Sequence, residues 1–251
     1  RHMSFLRYPR LPQGKVTHVL VSGEYPWLKA SLEQRGIQVI ETAADSRLPK
    51  PVRFHPDMQA CPLLDKHMFV LKGNPLGEKL TPLDFSLKET AIEPGPTYPA
   101  DALCDGLVWG KRLLGNPDAM DPAIQHSAEI LGLSLLSCKQ GYTACSVALV
   151  DKHSAITADT GIAGVLKGQG LDMLLIRPGW IKLPGYNTGF LGGSCGKLSP
   201  DKLAFTGQLS SHPDGKAIRA FLEQRGVAAV ELSHGPLVDT GGILPLKEIR
   251  G

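Results

Sequence analysis

Leu32-Glu33-Gln34-Arg35-Gly36-Ile37 returns near the other end of the chain as Leu222-Glu223-Gln224-Arg225-Gly226-Val227. Both copies have the same surroundings. A short apolar run precedes each (residues 19–21 and 203–205), and a second follows each (residues 38–41 and 228–232). The glycine closes a helix, because it alone enters the left-handed backbone of a helix C-terminus without strain. Apolar runs of this length flanking a helix read as strands, so the repeat predicts a strand–helix–strand unit used more than once.

A second echo extends the unit upstream. Asp65-Lys66-His67, Asp151-Lys152-His153 and Asp201-Lys202 each separate two apolar runs and read as hairpin turns, where Asp hydrogen-bonds its own backbone. Together the echoes give strand, turn, strand, helix, strand, and the chain divides into five such units. The first opens at His55 and has the weakest helix. The second opens near Asp101 and has an Asp121-Pro122 helix start. The third has strands over residues 140–150 and 155–157, a helix over 161–167 and a strand over 171–176. The fourth runs from Tyr186 to residue 232. The fifth starts over residues 238–246 and is completed by residues 19–41 from the amino-terminal end. A five-bladed α/β propeller, its ring closed by pairing the N- and C-terminal segments, covers the sheet edges an open array would expose.

The bulk properties fit this reading. With 251 residues, 42% hydrophobic and 20% charged, the chain is expected to be globular. One domain over residues 4–251 suffices, with Arg1, His2 and Met3 read as the remnant of an expression tag. A formal charge of +3 without a basic stripe argues against nucleic acid as a partner. No apolar run has the length of a membrane span, so no membrane partner and a cytoplasmic location are expected. The cysteines Cys61, Cys104, Cys138, Cys145 and Cys195 have neither disulfide nor zinc-type spacing, so no metal and no cofactor are assigned. Oligomeric state is not legible.

In a propeller the inner strands open onto one central cavity, which is the expected site. His55-Pro56-Asp57 puts an imidazole and a carboxylate on one side of a strand. His55 and Asp57 are the acid/base candidates, and Cys145 is the candidate nucleophile, although a cysteine between Ala144 and Ser146 in a strand also reads as core. Gln140, Tyr142, Tyr186, Asn187 and Asp239 are the substrate-binding candidates. Cys61, Cys104, Cys138 and Cys195 read as packing, and His67 and His153 as turn residues. The glycines of Gly189-Phe190-Leu191-Gly192-Gly193 and Gly241-Gly242 lack phosphate-loop context and read as close backbone packing.

The five-unit layout, His55-Pro56-Asp57-Met58, Gln140-Gly141-Tyr142 with Cys145-Ser146, the Gly189 stretch and Val238-Asp239-Thr240-Gly241 resemble the pentein superfamily, the guanidino-group-modifying fold. Within it, the chain is most similar to an uncharacterised family of domains. The resemblance implies a cavity for a guanidinium-like group, with Asp57 at the place of a gripping acid. Where pentein enzymes carry a cysteine in the last inner strand, this chain has Leu244 or a neighbour. Where they carry a histidine in the third unit, it has Gln140 or a neighbour. Leu cannot attack an amidine carbon and Gln cannot act as a base, so deimination of free arginine or methylated arginines is not expected. Two readings stay open. One is a hydrolase acting on a small polar amide- or amidine-like metabolite by non-standard residues. The other is a non-catalytic ligand-binding or protein-interaction propeller.

Overall fold

The computed structural model describes residues 2–251, so Arg1, part of the expected tag remnant, lies outside the described residues. Met3, grouped with that remnant above, opens strand β1 (Met3–Phe5). There follow β2 (Lys15–Ser22), α1 (Pro26–Glu33) and β3 (Gln38–Thr42). The next group is α2 (Pro56–Gln59), β4 (Ala60–Pro62), β5 (His67–Val70), α3 (Leu76–Leu80) and β6 (Ser86–Glu89). Then come β7 (Leu107–Trp109), β8 (Arg112–Gly115), α4 (Pro122–Ile130) and β9 (Ser134–Ser137). The third group is α5 (Thr143–Ser146), β10 (Val147–Leu149), β11 (Ser154–Thr157), α6 (Thr160–Gly168) and β12 (Asp172–Leu175). The last full group is β13 (Cys195–Ser199), β14 (Lys202–Phe205), α7 (Gly215–Glu223) and β15 (Ala228–Glu231), and β16 (Leu244–Ile249) ends the chain.

These elements make a mixed α/β fold of five small sheets. Four of them repeat one plan, an antiparallel hairpin followed by a parallel strand reached across a helix. The fifth is assembled from both ends of the chain, with β16 between β1 and β2 and antiparallel to each, so that Ile249 faces Met3 and Pro245 faces Val19. A unit of one small sheet and one short helix is near the size of about 40 residues below which a chain seldom buries enough apolar surface to stand alone. Here each sheet shares an apolar cluster with each of two neighbours. Cys61 and Phe69 pack with Val108 and Leu113, and Leu107 and Trp109 with Val147 and Ala155. Ile156 packs with Phe205, and Leu198 with Val19. Leu20 and Leu244 pack with Ala60 and Met68.

The inner strands are shorter than the sequence predicts. The first unit opens on a helical turn instead of a strand: Pro56 sits at its first position behind an extended His55, so His55 and Asp57 are not alternate residues of a strand. Residues 140–146 likewise form a turn and α5 before β10 begins at Val147. Cys145 therefore lies on a helical turn, held where the Ser146 hydroxyl donates to the Tyr142 carbonyl. Residues 186–191 are irregular, and β16 starts at Leu244 rather than Val238. The Asp-Lys segments are the hairpin connections expected. The five cysteines are all free. Among the described residues, no helix is long and apolar enough to cross a membrane.

Candidate active site

Hydrogen bonds between the turns that precede the inner strands join one unit to the next. Asp57 N–H donates to the Gly241 carbonyl at 3.1 Å, and Ala144 N–H to Asp105 at 2.8 Å. Thr240 and Gly242 N–H both donate to Gly193 at 2.9 Å. Glycines make this approach geometrically feasible. A Cβ on Gly193 would lie 1.9 Å from Asp239 Oδ1, and one on Gly241, where φ is +86°, would lie 2.5 Å from His55 Cβ.

Inside these turns is a cavity of about 260 Å³ that takes residues from all five units: His55 and Asp57, then Asp101, then Tyr142 and Cys145, then Tyr186 to Phe190, then Asp239. Four carboxylates, those of Asp57, Asp101, Asp105 and Asp239, are buried here or directly behind it. Asp239 is anchored, its oxygens accepting from Phe190 N–H at 2.9 Å and Gly241 N–H at 3.0 Å. Asp101 accepts from the Tyr142 hydroxyl at 2.7 Å through one oxygen, and its other oxygen has no partner. Asp57, 2% exposed, has no partner on either oxygen. Asp105 accepts the Cys145 thiol at 3.0 Å and the Cys145 N–H at 3.2 Å.

Burial dominates the titration of these groups. It pushes Asp57 well above the usual carboxylate range, with Asp105 and Asp239 adding to the shift. It brings Asp105 up to about 8, against the bonds from Cys145. The Cys145 thiol rises well above its ordinary value through burial and then through the Asp105 charge, so the free site holds a thiol and not a thiolate. Burial lowers His55, against the pull of Asp239. The His55 ring nitrogen Nδ1 lies 3.9 Å from Asp57 and 3.8 Å from Asp239. Because the imidazole is held neutral, these contacts are not ion pairs. Its Nε2 is buried and unpartnered.

Of the residues singled out from sequence, the cavity gathers His55, Asp57, Cys145, Tyr142, Tyr186, Asn187 and Asp239. Tyr186 and Asn187 are exposed at its mouth. Gln140 lies elsewhere, in a neighbouring groove with Lys139 and Asn116. There its side chain accepts from Tyr142 N–H at 3.0 Å and donates to Asp159 at 3.3 Å, so it braces the Tyr142 turn. His67 and His153 lie away from the cavity, at the ends of hairpins. The sequence reading delivers residues 101–105 to the central cavity but assigns neither Asp101 nor Asp105 a chemical role. The signal was the frame Ala102-Leu103-Cys104, which puts two acids among apolar neighbours. Arg10 is a further omission. Its φ is +65°, it lines a void of about 20 Å³ together with Asp57 and Gly241, and its charge opposes the rise of the Asp57 pKa.

The family of unknown function DUF6873 matches residues 20–244. No curated protein matches the chain by sequence. The fold is similar to an inosamine-phosphate amidinotransferase from Streptomyces griseus at 12% identity and a TM-score of 0.61, with 98% of each chain covered. It is similar to C. jejuni agmatine deiminase with substrate bound at 9% identity and a TM-score of 0.57, covering 100% of this chain and 97% of that one. DDAH from Pseudomonas aeruginosa complexed with citrulline gives 9% identity and a TM-score of 0.55, with 90% and 94% covered. The fold is that of the penteins.

Proposed function

We propose, for a chain that belongs to the family of unknown function DUF6873 and has the pentein fold, that the central cavity binds and hydrolyses a small cationic amidine- or amide-like metabolite. The carrying observation is Asp57, a buried carboxylate with both oxygens unpartnered, facing a cavity beside the Asp105–Cys145 pair. An uncompensated buried carboxylate costs several kcal/mol or stays protonated. A guanidinium, amidinium or ammonium group supplies the missing donors and charge. The substrate-bound agmatine deiminase and the citrulline complex of DDAH support this choice of class only through the fold.

In this reading Asp57 and Asp239 grip the cationic end, Asp101 and the Tyr142 hydroxyl fix its orientation, and Tyr186 and Asn187 close over the mouth. Cys145 Sγ bonds to the amidine or amide carbon as its proton passes to Asp105, whose raised pKa makes it a competent base near neutrality. The C–N bond then breaks, and Asp105 returns that proton to the departing amine. Water activated by neutral His55 adds to the carbon, breaks the C–S bond and restores the thiol. The arrangement is read as a single five-bladed propeller domain over residues 4–251, closed by the sheet that joins both chain ends, in a cytoplasmic protein.

One observation favours the non-catalytic alternative: burial, reinforced by the acids around it, holds the Cys145 thiol protonated. The deciding experiment is calorimetric titration with agmatine, arginine and small amidines and amides, alongside assays for released ammonia or amine. Turnover that Cys145→Ala abolishes while binding persists supports the hydrolase. Binding without turnover in the unaltered protein establishes the binding module, and binding insensitive to Asp57→Asn refutes both.

A further inference from the structure

The floor of the cavity has a donor set that an organic cation does not exhaust. Asp57 on α2, Asp105 just ahead of β7 and Cys145 on α5 come from three separate units. One carboxylate oxygen from each aspartate and the Cys145 Sγ all lie within 4.8 Å of one another. All three residues are buried, and both oxygens of Asp57 lack a hydrogen-bond partner. Acidic clusters at surfaces are common and prove nothing. This one is enclosed, includes a thiol and contains an unpartnered carboxylate.

We propose that Asp57, Asp105 and Cys145 form a binding site for one divalent transition-metal ion of the zinc class, with its remaining coordination position open to the cavity. The donor chemistry selects the class: a thiolate with two carboxylates suits zinc or cobalt, whereas magnesium and calcium take oxygen ligands alone. Three protein ligands with a fourth position toward a cavity is the arrangement of an exchangeable site, not a closed structural one. Charge is consistent as well. Two carboxylates and a thiolate carry three negative charges, and Arg10, whose charge acts on both aspartates, supplies one positive charge. A divalent ion brings the group to neutrality. On binding, the Cys145 S–H proton and the protons that burial keeps on Asp57 and Asp105 leave to solvent, and a metal–sulfur bond replaces the Cys145–Asp105 hydrogen bond. Asp239 is already held by two N–H donors and stays outside the set.

The metal and the organic cation then use the same floor and exclude one another. This competition rests on the function proposed above, whereas metal binding does not.

The test titrates the full chain, freed of metal with a chelator, with cobalt(II) while following absorption. One equivalent should bind with a sulfur-to-cobalt charge-transfer band, and zinc should bleach it. Cys145→Ser should remove the band. Asp57→Asn, which keeps side-chain volume, should weaken binding by more than the roughly 100-fold upper range for losing an outer-shell partner. A band that persists in Cys145→Ser would come from one of the other four cysteines and overturns the assignment, as does affinity unchanged in Asp57→Asn. Melting curves identify a variant that has lost its fold, and the other variant then decides. Agmatine is the competitor. Cobalt binding that agmatine weakens supports both proposals. Cobalt binding without agmatine binding refutes only the organic-cation reading, and agmatine binding without cobalt binding refutes only the metal site.

Discussion

Asp57 is more acidic in composition than in behaviour: neither carboxylate oxygen has a hydrogen-bond partner, and burial favours the protonated form. Asp57→Asn should therefore preserve or raise the melting temperature while weakening an organic cation at least about tenfold, the equivalent of one lost charged contact of roughly 1.4 kcal/mol. Thermal unfolding and calorimetry on one preparation check both halves, and a variant that melts lower would show that Asp57 has a structural partner. Gly193 behaves in the opposite way. A methyl there meets Asp239 Oδ1 at 1.9 Å, against backbone that is itself hydrogen-bonded to Thr240 and Gly242. Gly193→Ala should cost about 3 kcal/mol in denaturant titration. At this scale the sequence named several polar residues that line the cavity but not their pairings, and it named no role for Arg10. Gln140 was expected to line the same cavity as Asp57 and instead braces the Tyr142 turn, its side chain bonded to Tyr142 N–H and Asp159.

Helix α4 is held by Asp121, which accepts from Ala123 N–H in the expected cap and also from Ala91 and Ile92 N–H, each at 3.0 Å. One carboxylate thus ties the helix to the segment arriving from the previous unit. Asp121→Ala should cost about 2–4 kcal/mol, more than an ordinary cap, since buried N–H groups are left unsatisfied. Chemical denaturation measures this, and a loss near 1 kcal/mol would mean that water replaces the lost bonds. Strand β13 carries a buried cation. Lys197 Nζ donates to the Val150 and Pro200 carbonyls, and burial brings its pKa down to about 8, opposed by Asp151 and Asp201. The unfolded chain, with Lys197 nearer its ordinary value of 10.5, holds more protons between these limits. Stability owed to this residue should rise as pH increases from about 8 toward 10.5. The difference in melting temperature between the unaltered protein and Lys197→Met isolates that slope, and a flat difference would refute it. The hairpins, the Asp121 cap and the repeated glycine stops were legible because each depends on a few adjacent residues. The helical turns of α2 and α5 were not, since four residues carry no periodicity to read.

The two ends of the chain share one sheet, but not equally. β1 is an edge strand paired on one side, while β16 lies between β1 and β2 and supplies Leu244 and Leu246 to a cluster shared with the next sheet. Removing residues 2–5 should lower the melting temperature by only a few degrees, whereas removing residues 244–251 should abolish cooperative unfolding. Calorimetry on both truncations tests this, and a cooperative transition in the second would show that the remaining sheets are stable without it. The repeat at Leu32 and Leu222, the Asp-Lys turns and the split fifth unit were enough to specify five copies of one motif and the joining of the chain ends. They work through local backbone preference and apolar periodicity, which the order of residues encodes directly. The convergence of Asp57, Asp101, Asp105, Asp239, His55 and Cys145 is of a different kind. These side chains lie far apart in the chain, and their pKa values, orphaned oxygens and shared cavity arise only when five sheets exclude water from the centre. Sequence thus determined the repeating unit, and tertiary packing alone decided the electrostatics of the site, because desolvation and charge proximity are properties of distance in space.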